Sequence, residues 1–96
     1  MYEINYSKSA ERYFKKLKDK QLLRAFKNAT DELKKNPYIG SQKTGDLRGV
    51  YGYDVKHNSL NYELAYRIYE EESRLVVVIL AGTRENFYVE LKRLIK

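Results

Sequence analysis

Three observations predict an α+β fold made of a short first strand, a helical hairpin, a three-stranded antiparallel meander and a closing helix. Apolar residues recur at spacings of three and four over residues 8–35, they alternate with polar residues over 51–69, and a run of pure β-formers, LVVVILA, spans Leu75–Ala81. Helical and strand periodicities that fall in separate blocks argue for helices packed on one face of a mainly antiparallel sheet. The 96 residues suffice for a single domain, 1–96, with one modest core.

Tyr2, Ile4 and Tyr6 alternate with polar neighbours, as a strand with one buried face does. Ser7 or Ser9 is placed to cap the next helix, whose apolar stripe is Ala10, Tyr13, Phe14 and Leu17. After Lys18-Asp19-Lys20 the stripe restarts with Leu22, Leu23, Phe26, Thr30 and Leu33, so residues 8–35 form two helices or one with a tight bend. Pro37 ends them, because its ring cannot continue a helix and biases Asn36 toward an extended conformation. Residues 38–49, YIGSQKTGDLRG, hold three glycines and no periodicity, and read as a loop. Tyr51, Tyr53 and Val55 mark one strand and Tyr62, Leu64, Tyr66 and Ile68 the next, joined by the turn HNSLN. A second turn at Glu70–Ser73 leads into LVVVILA, apolar on both faces and so expected inside the sheet. Phe87, Leu91, Leu94 and Ile95 form a final amphipathic stripe, with Asn86 as its N-cap. If Tyr62, Leu64, Tyr66 and Ile68 enter the core, then Glu63, Ala65, Arg67 and Tyr69 face the other way. That face is expected to stay bare, with Glu63 and Arg67 around a small Ala65 flooring a cleft.

No segment approaches the ~18 consecutive apolar residues of a membrane span, and the N-terminus lacks the apolar stretch of a secretory signal, so a soluble cytoplasmic protein is expected. Cysteine is absent and histidine occurs once, which leaves neither a disulfide framework nor a thiolate metal site and argues against structural zinc. No metal and no cofactor are expected, and packing must supply the stability, with ten tyrosines contributing much of it. The net charge of +6 resides between Lys8 and Lys35, which hold ten basic and four acidic residues and leave nine of each sign elsewhere. A basic element of this kind attracts a polyanion or an acidic protein through steering that salt partly screens. Lys-rich helices also serve simply to keep a protein in solution.

The order of these elements, together with DLRG before the Tyr51 strand, YELAYRI in the next, VVVILAGTRENFY leaving the last and LKRLIK at the end, resembles the RelE/ParE superfamily of bacterial toxin-antitoxin toxins over nearly the whole chain. The resemblance implies a RelE-like microbial RNase-type fold and a small, acidic cognate antitoxin encoded beside the toxin. RelE-like members are ribosome-dependent endoribonucleases that cut mRNA, inhibit translation and arrest growth. ParE-like members inhibit DNA gyrase and are not nucleases. The first reading is therefore an mRNA interferase acting on the ribosome. The second is a gyrase inhibitor that docks through its basic helix pair, and a third is an inactive member that binds antitoxin. No membrane partner is implied, and DNA is contacted only by the toxin-antitoxin complex.

Carried over residue by residue, Arg84 falls where RelE-like toxins place an arginine on the scissile phosphate, and Tyr88 falls close to the family's C-terminal tyrosine, at a shorter spacing. Tyr62-Glu63 matches a tyrosine-arginine pair, so a carboxylate stands where a cation is expected, with Arg67 two pleats further on. Where RelE has strand lysines this chain has Gly52 and Asp54, with Lys56 and His57 as nearby substitutes. RNA cleavage without a metal requires a base for the 2′-hydroxyl proton, a cation for the phosphate and an acid for the leaving 5′-oxygen. Each proton-transfer partner contributes about 10²- to 10⁴-fold, and preorganised positive charge as much or more. Arginine suits the phosphate because its planar fork is permanently charged. Glu63 or Glu85 is offered as the base, and His57 or Tyr88 as the acid, His57 because its unperturbed pKa lies near neutrality. Lys43, Arg48 and Lys56 border the same end of the sheet, where they are expected to grip RNA backbone phosphates. Plainer readings stand beside these: His57 as a solvated residue before a turn, Tyr88 as core, and Glu63 with Arg67 as a cross-pleat ion pair worth under ~1 kcal/mol. Of the tyrosines, Tyr51 and Tyr69 are the ones offered for stacking on bases.

Overall fold

Local signals set where each element starts and stops across residues 1–95, which are described by a computed structural model. Strand β1 (Glu3–Tyr6) passes into helix α1 (Lys8–Lys16) through Ser7, the cap chosen over Ser9, whose hydroxyl accepts from the Ala10 N–H at 3.1 Å. Leu17 is extended and breaks the helical path. Asp19 then caps α2 (Lys20–Lys35) by accepting from the N–H groups of Gln21 and Leu22, so two helices form and not one bent one. Helix α2 stops where Pro37 holds Asn36 at φ −155°, ψ 96°.

The segment expected to be an unstructured loop is more ordered than its composition suggests. It contains short 3-10 turns at Pro37–Ile39 and Gly45–Leu47, and a two-residue strand β2 (Ser41–Gln42) paired antiparallel with Gly52 and Tyr51. Two residues are too few to show periodicity, which is why the strand escapes notice. Strands β3 (Tyr51–His57), β4 (Leu60–Tyr69) and β5 (Leu75–Thr83) form the expected meander, and α3 (Phe87–Leu94) closes the chain. The β3–β4 hairpin turns on Asn58 and Ser59, both with positive φ, as a type I′ turn requires. The sheet order is β1-β5-β4-β3-β2, with β1 parallel to β5 and every other pairing antiparallel. The doubly apolar β5 thus lies between two neighbours, as expected.

Helices α1 and α2 cover one face. Leu22, Phe26 and Leu33 pack there against Val55, Leu64, Tyr66, Val76 and Val78. Phe26 sits among Tyr13, Phe14 and Tyr62 in edge-to-face contacts with centroids 5.3–5.9 Å apart. Tyr66 is fully buried and donates to the Pro37 carbonyl at 2.6 Å, and burial pushes its phenol pKa upward. Gly40 is dictated by this contact, since a Cβ there would overlap the Tyr66 hydroxyl and stand 2.8 Å from the Gly52 carbonyl.

The opposite face is not bare. Phe87 and Leu91 of α3 pack on Ala65 and Leu80, with Leu47 and Val50 beside them, so the helices are shared between both faces of the sheet. A strand apolar on both faces needs cover on both, and α3 supplies the second. Ala65 therefore lies under a helix and is not the centre of an open floor, while Leu94, expected in the buried stripe, is exposed. Asn86 occupies the N-cap position of α3 in a left-handed conformation, but its side chain makes no capping bond, contrary to the expectation.

Strand β5 carries a bulge. Ala65 faces Leu80 and Tyr66 faces Val78, leaving Ile79 as an extra residue, and the Ser7 hydroxyl donates to the Ile79 carbonyl at 2.6 Å. An extra residue inverts the alternation of side chains beyond it. Val76 and Val78 accordingly meet the helical hairpin, and so does Ala81, whereas Leu80 meets α3.

Candidate functional site

The bulge at Ile79 decides where Arg84 points. In an unbroken alternation Arg84 would share a face with Val76 and Val78, under the helical hairpin. The inverted alternation sends it to the face of Glu63, which pairs with Gly82, and the Arg84 N–H continues the ladder by donating to the Asn61 carbonyl at 3.1 Å. The chain then folds back on itself, with the Phe87 N–H donating to the Arg84 carbonyl, and α3 begins with Tyr88 over the same corner.

These residues line a cleft of about 320 Å³ together with Gly40, Ser41, Lys43, Gly52 and Asp54. Glu63 lies at its base, 2% exposed. One carboxylate oxygen, Oε2, is 2.7 Å from the Lys43 ammonium, and the other, Oε1, is 3.6 Å from Nε of Arg84. Arg84 also reaches Asp54 at 3.8 Å, and with 47% of its side chain exposed it presents the rest of its guanidinium to solvent. The Tyr88 hydroxyl accepts from Lys43 at 3.2 Å, and the ammonium lies 4.5 Å from the Tyr88 ring centroid. Tyr88 is itself 43% exposed and so is not core.

The electrostatics keep both cations charged. Burial by itself would lower the Lys43 pKa, but hydrogen bonds to Glu63 and Tyr88, with the charge of Glu63, raise it overall. Arg84 is held above its already high range, first by the Tyr88 hydroxyl and then by Asp54 and Glu63.

The structure brings Arg84, Tyr88, Glu63 and Lys43 together, while Glu85 stands exposed in the turn beside Arg84, outside the cleft lining. It does not bring the other candidates to the cleft. His57 follows Tyr51, Tyr53 and Val55 onto the helical-hairpin side, where its Nε2 is 3.4 Å from Asp19 at the start of α2. Its proposed place beside the cleft is thereby overturned, because a strand's alternation puts odd-numbered β3 residues on that face. Arg67 lies beyond Ala65 and is not among the residues lining the cleft. The cross-pleat pair expected for Glu63 is replaced by its bonds to Lys43 and Arg84. Lys56 and Arg48 are exposed but lie outside the cleft lining. Tyr51 stacks on Tyr66 with centroids 5.6 Å apart and is packed edge-on by Tyr38, so its ring is already engaged.

Sequence reasoning placed Lys43 near this end of the sheet but missed its partnership with Glu63 and the part played by Gly52. The strand position lacking a side chain is the signal. A Cβ on Gly52 would overlap Oε2 of Glu63 and stand 2.9 Å from the Lys43 ammonium, so the glycine opens the space in which the pair forms.

A helical hairpin on one face of a five-stranded sheet, with a cleft of cations, carboxylate and phenol beside a short helix on the other, is the architecture of a small RelE/ParE-type toxin. Residues 4–92 match the family described as ParE-like toxin of type II bacterial toxin-antitoxin system, and the chain belongs to that family. Among solved structures it is similar to the intact E. coli RelBE toxin-antitoxin complex, at 24% identity and TM-score 0.69, covering 86% of this chain and 96% of that one. A RelBE toxin-antitoxin complex from Mycobacterium tuberculosis matches at 25% identity and TM-score 0.67, covering 86% and 98%. An arginine-to-alanine double mutant of E. coli RelE in the free state matches at 22% identity and TM-score 0.74, covering 95% and 92%. No curated protein matches the chain in sequence at a significant level.

Proposed function

We propose that this toxin is a ribosome-dependent endoribonuclease that cuts mRNA and so inhibits translation in the cytoplasm. The observation that carries the reading is the meeting of Arg84 and Tyr88 over a buried Glu63 in an open cleft. Arg84, half exposed and permanently charged, holds the scissile phosphate. Tyr88, within a turn of it, is the proton-transfer group facing the leaving oxygen. Both oxygens of Glu63 are occupied by cations, so it organises the charge, and of the two carboxylates offered as base the exposed Glu85, in the turn beside Arg84, takes the 2′-hydroxyl proton. Exposed Lys56 and Arg48 grip flanking phosphates without reading bases.

The antitoxin partner has a natural seat on the other face. A groove of about 560 Å³ between β1, α1 and α2 has an apolar floor that includes Tyr6, Phe14, Leu23 and Phe26, and a rim with Lys15, Lys20, Arg24, Lys27 and Lys34. An acidic amphipathic segment fits both features.

The alternative, gyrase inhibition by docking, draws support from the ParE-like character of the family match. Induction in a bacterial host followed by primer extension on translated messages separates the two. New 5′ ends within codons, lost with growth arrest in the Arg84→Ala/Tyr88→Phe double variant while the fold and antitoxin binding persist, are expected. DNA breaks without new message ends, or undiminished toxicity of that variant, would overturn the nuclease reading.

A further inference from the structure

Lys43 is a loop residue, yet its side chain is only 10% exposed and its ammonium is held at the base of the cleft. Gly52, whose backbone has no positive φ that would demand glycine, leaves the space it fills. A glycine inside a strand costs conformational entropy and often marks close approach by another group, and here the approaching groups are the Glu63 carboxylate and, bonded to it, the end of Lys43.

An ammonium has three donors. Glu63 and Tyr88 take two, and the third remains for an incoming oxygen. Lys43 and Arg84 also sit on the two oxygens of one carboxylate. Cations spaced for that fork are spaced for two non-bridging oxygens of a single phosphate, an anion of similar bite.

We propose that Lys43 is the second catalytic cation of the cleavage site, closing with Arg84 on the scissile phosphate, and that Gly52 is the positioning residue that admits it. The inference rests on the nuclease reading. Glu63 is the counter-ion that keeps both cations in place before RNA arrives. In the reaction the 2′-oxygen bonds to phosphorus as the bond to the 5′-oxygen breaks, the 2′ proton passing to the base and a proton passing to the leaving oxygen. Lys43 forms no covalent bond and keeps its own proton, consistent with its raised pKa.

Single-turnover cleavage on programmed ribosomes, with Lys43→Met, Gly52→Ala and the double variant, tests the assignment. Each single change is expected to slow cleavage about 10²-fold, the usual loss for one preorganised charge-stabilising group. The double variant should lose clearly less than the product of the two single losses, because Gly52→Ala crowds the Glu63–Lys43 pair and acts in part by displacing the lysine. Binding to ribosomes carrying a 2′-deoxy, uncleavable message should change far less than the rate, marking a transition-state effect. Gly52→Ala should still fold, since the atoms it displaces are the ends of flexible side chains. Should it not fold, Lys43→Met decides alone, with Lys43→Arg expected to recover part of the rate. A wild-type rate in Lys43→Met, or losses that multiply in the double variant, would refute the proposal while leaving the nuclease reading intact. Wild-type protein that cuts no message would remove both.

Discussion

Neutralising Glu63 with glutamine should destabilise the fold far more than neutralising a surface carboxylate. The carboxylate is 2% exposed and meets Lys43 at 2.7 Å and Arg84 at 3.6 Å. At the effective dielectric that suits partly buried pairs, a 2.7 Å separation corresponds to a gross attraction of roughly 6 kcal/mol. Desolvation of two ions consumes much of that, and the net worth of the pair is small. Removing one partner is different, because the survivor stays buried without compensation, at a cost of about 3–5 kcal/mol. The cleft opens to solvent and Tyr88 still accepts from Lys43, which places Glu63→Gln nearer 2–3 kcal/mol. In a domain of this size that lowers Tm by roughly 10–20 °C. Lys43→Met strands Glu63 with Arg84 alone and should cost a similar amount.

The double variant has no stranded charge between 43 and 63, so its loss should fall at least ~1 kcal/mol short of the sum of the singles. Thermal and urea melts of the four proteins give the cycle. Pairing raises the folded pKa of Lys43 above its ordinary 10.5, so its contribution is complete below that pH and fades as pH climbs through the higher folded value. Wild type should therefore lose stability in strong alkali along a slope that Lys43→Met lacks. Single variants each within ~0.5 kcal/mol of wild type, or a double variant equal to the sum of the singles, would refute the reasoning.

Tyr66→Phe deletes the hydroxyl that reaches the Pro37 carbonyl and should lower stability by about 1–3 kcal/mol, read as an earlier urea midpoint; an unmoved midpoint would show that the 37–42 segment is held by other contacts. Ser7→Ala removes both the α1 cap and the bond to the Ile79 carbonyl, for a loss of about 1–2 kcal/mol, with faster amide exchange around the bulge as the second readout. Glu70 accepts from the hydroxyls of Tyr2 and Tyr38, bonds that hold its pKa below the ordinary 4.5. Its stabilising contribution is therefore present above that pH and lost as pH falls through the lower folded value, so Glu70→Gln should flatten the acid limb of the stability profile.

Much of the fold was legible because its signals are local. Ser7 and Pro37 punctuate the helical hairpin through bonds and clashes within a few residues, although the break that the Asp19 cap makes between its helices was left open, and the alternation of Tyr62, Leu64 and Tyr66 correctly placed Glu63 on the opposite face. The placement of α3 was harder to read. Its stripe was visible, but the face it covers depends on which side of β5 and of Ala65 lacks a partner, a property of the assembled sheet.

The sequence by itself determined the helices and four of the five strands, their order, the doubly buried strand and the charge of the helical hairpin, since periodicity and composition act within each element. Tertiary structure alone decided the cleft. The bulge at Ile79 leaves no mark in LVVVILAGT, where every neighbour is apolar, yet that one extra residue turns Arg84 from the hairpin face to the face of Glu63. The space at Gly52 acquires meaning only once Lys43 reaches it from a loop and Glu63 from the neighbouring strand. Register across a sheet is set by pairing between distant segments, and a shift of one residue reverses every side chain beyond it.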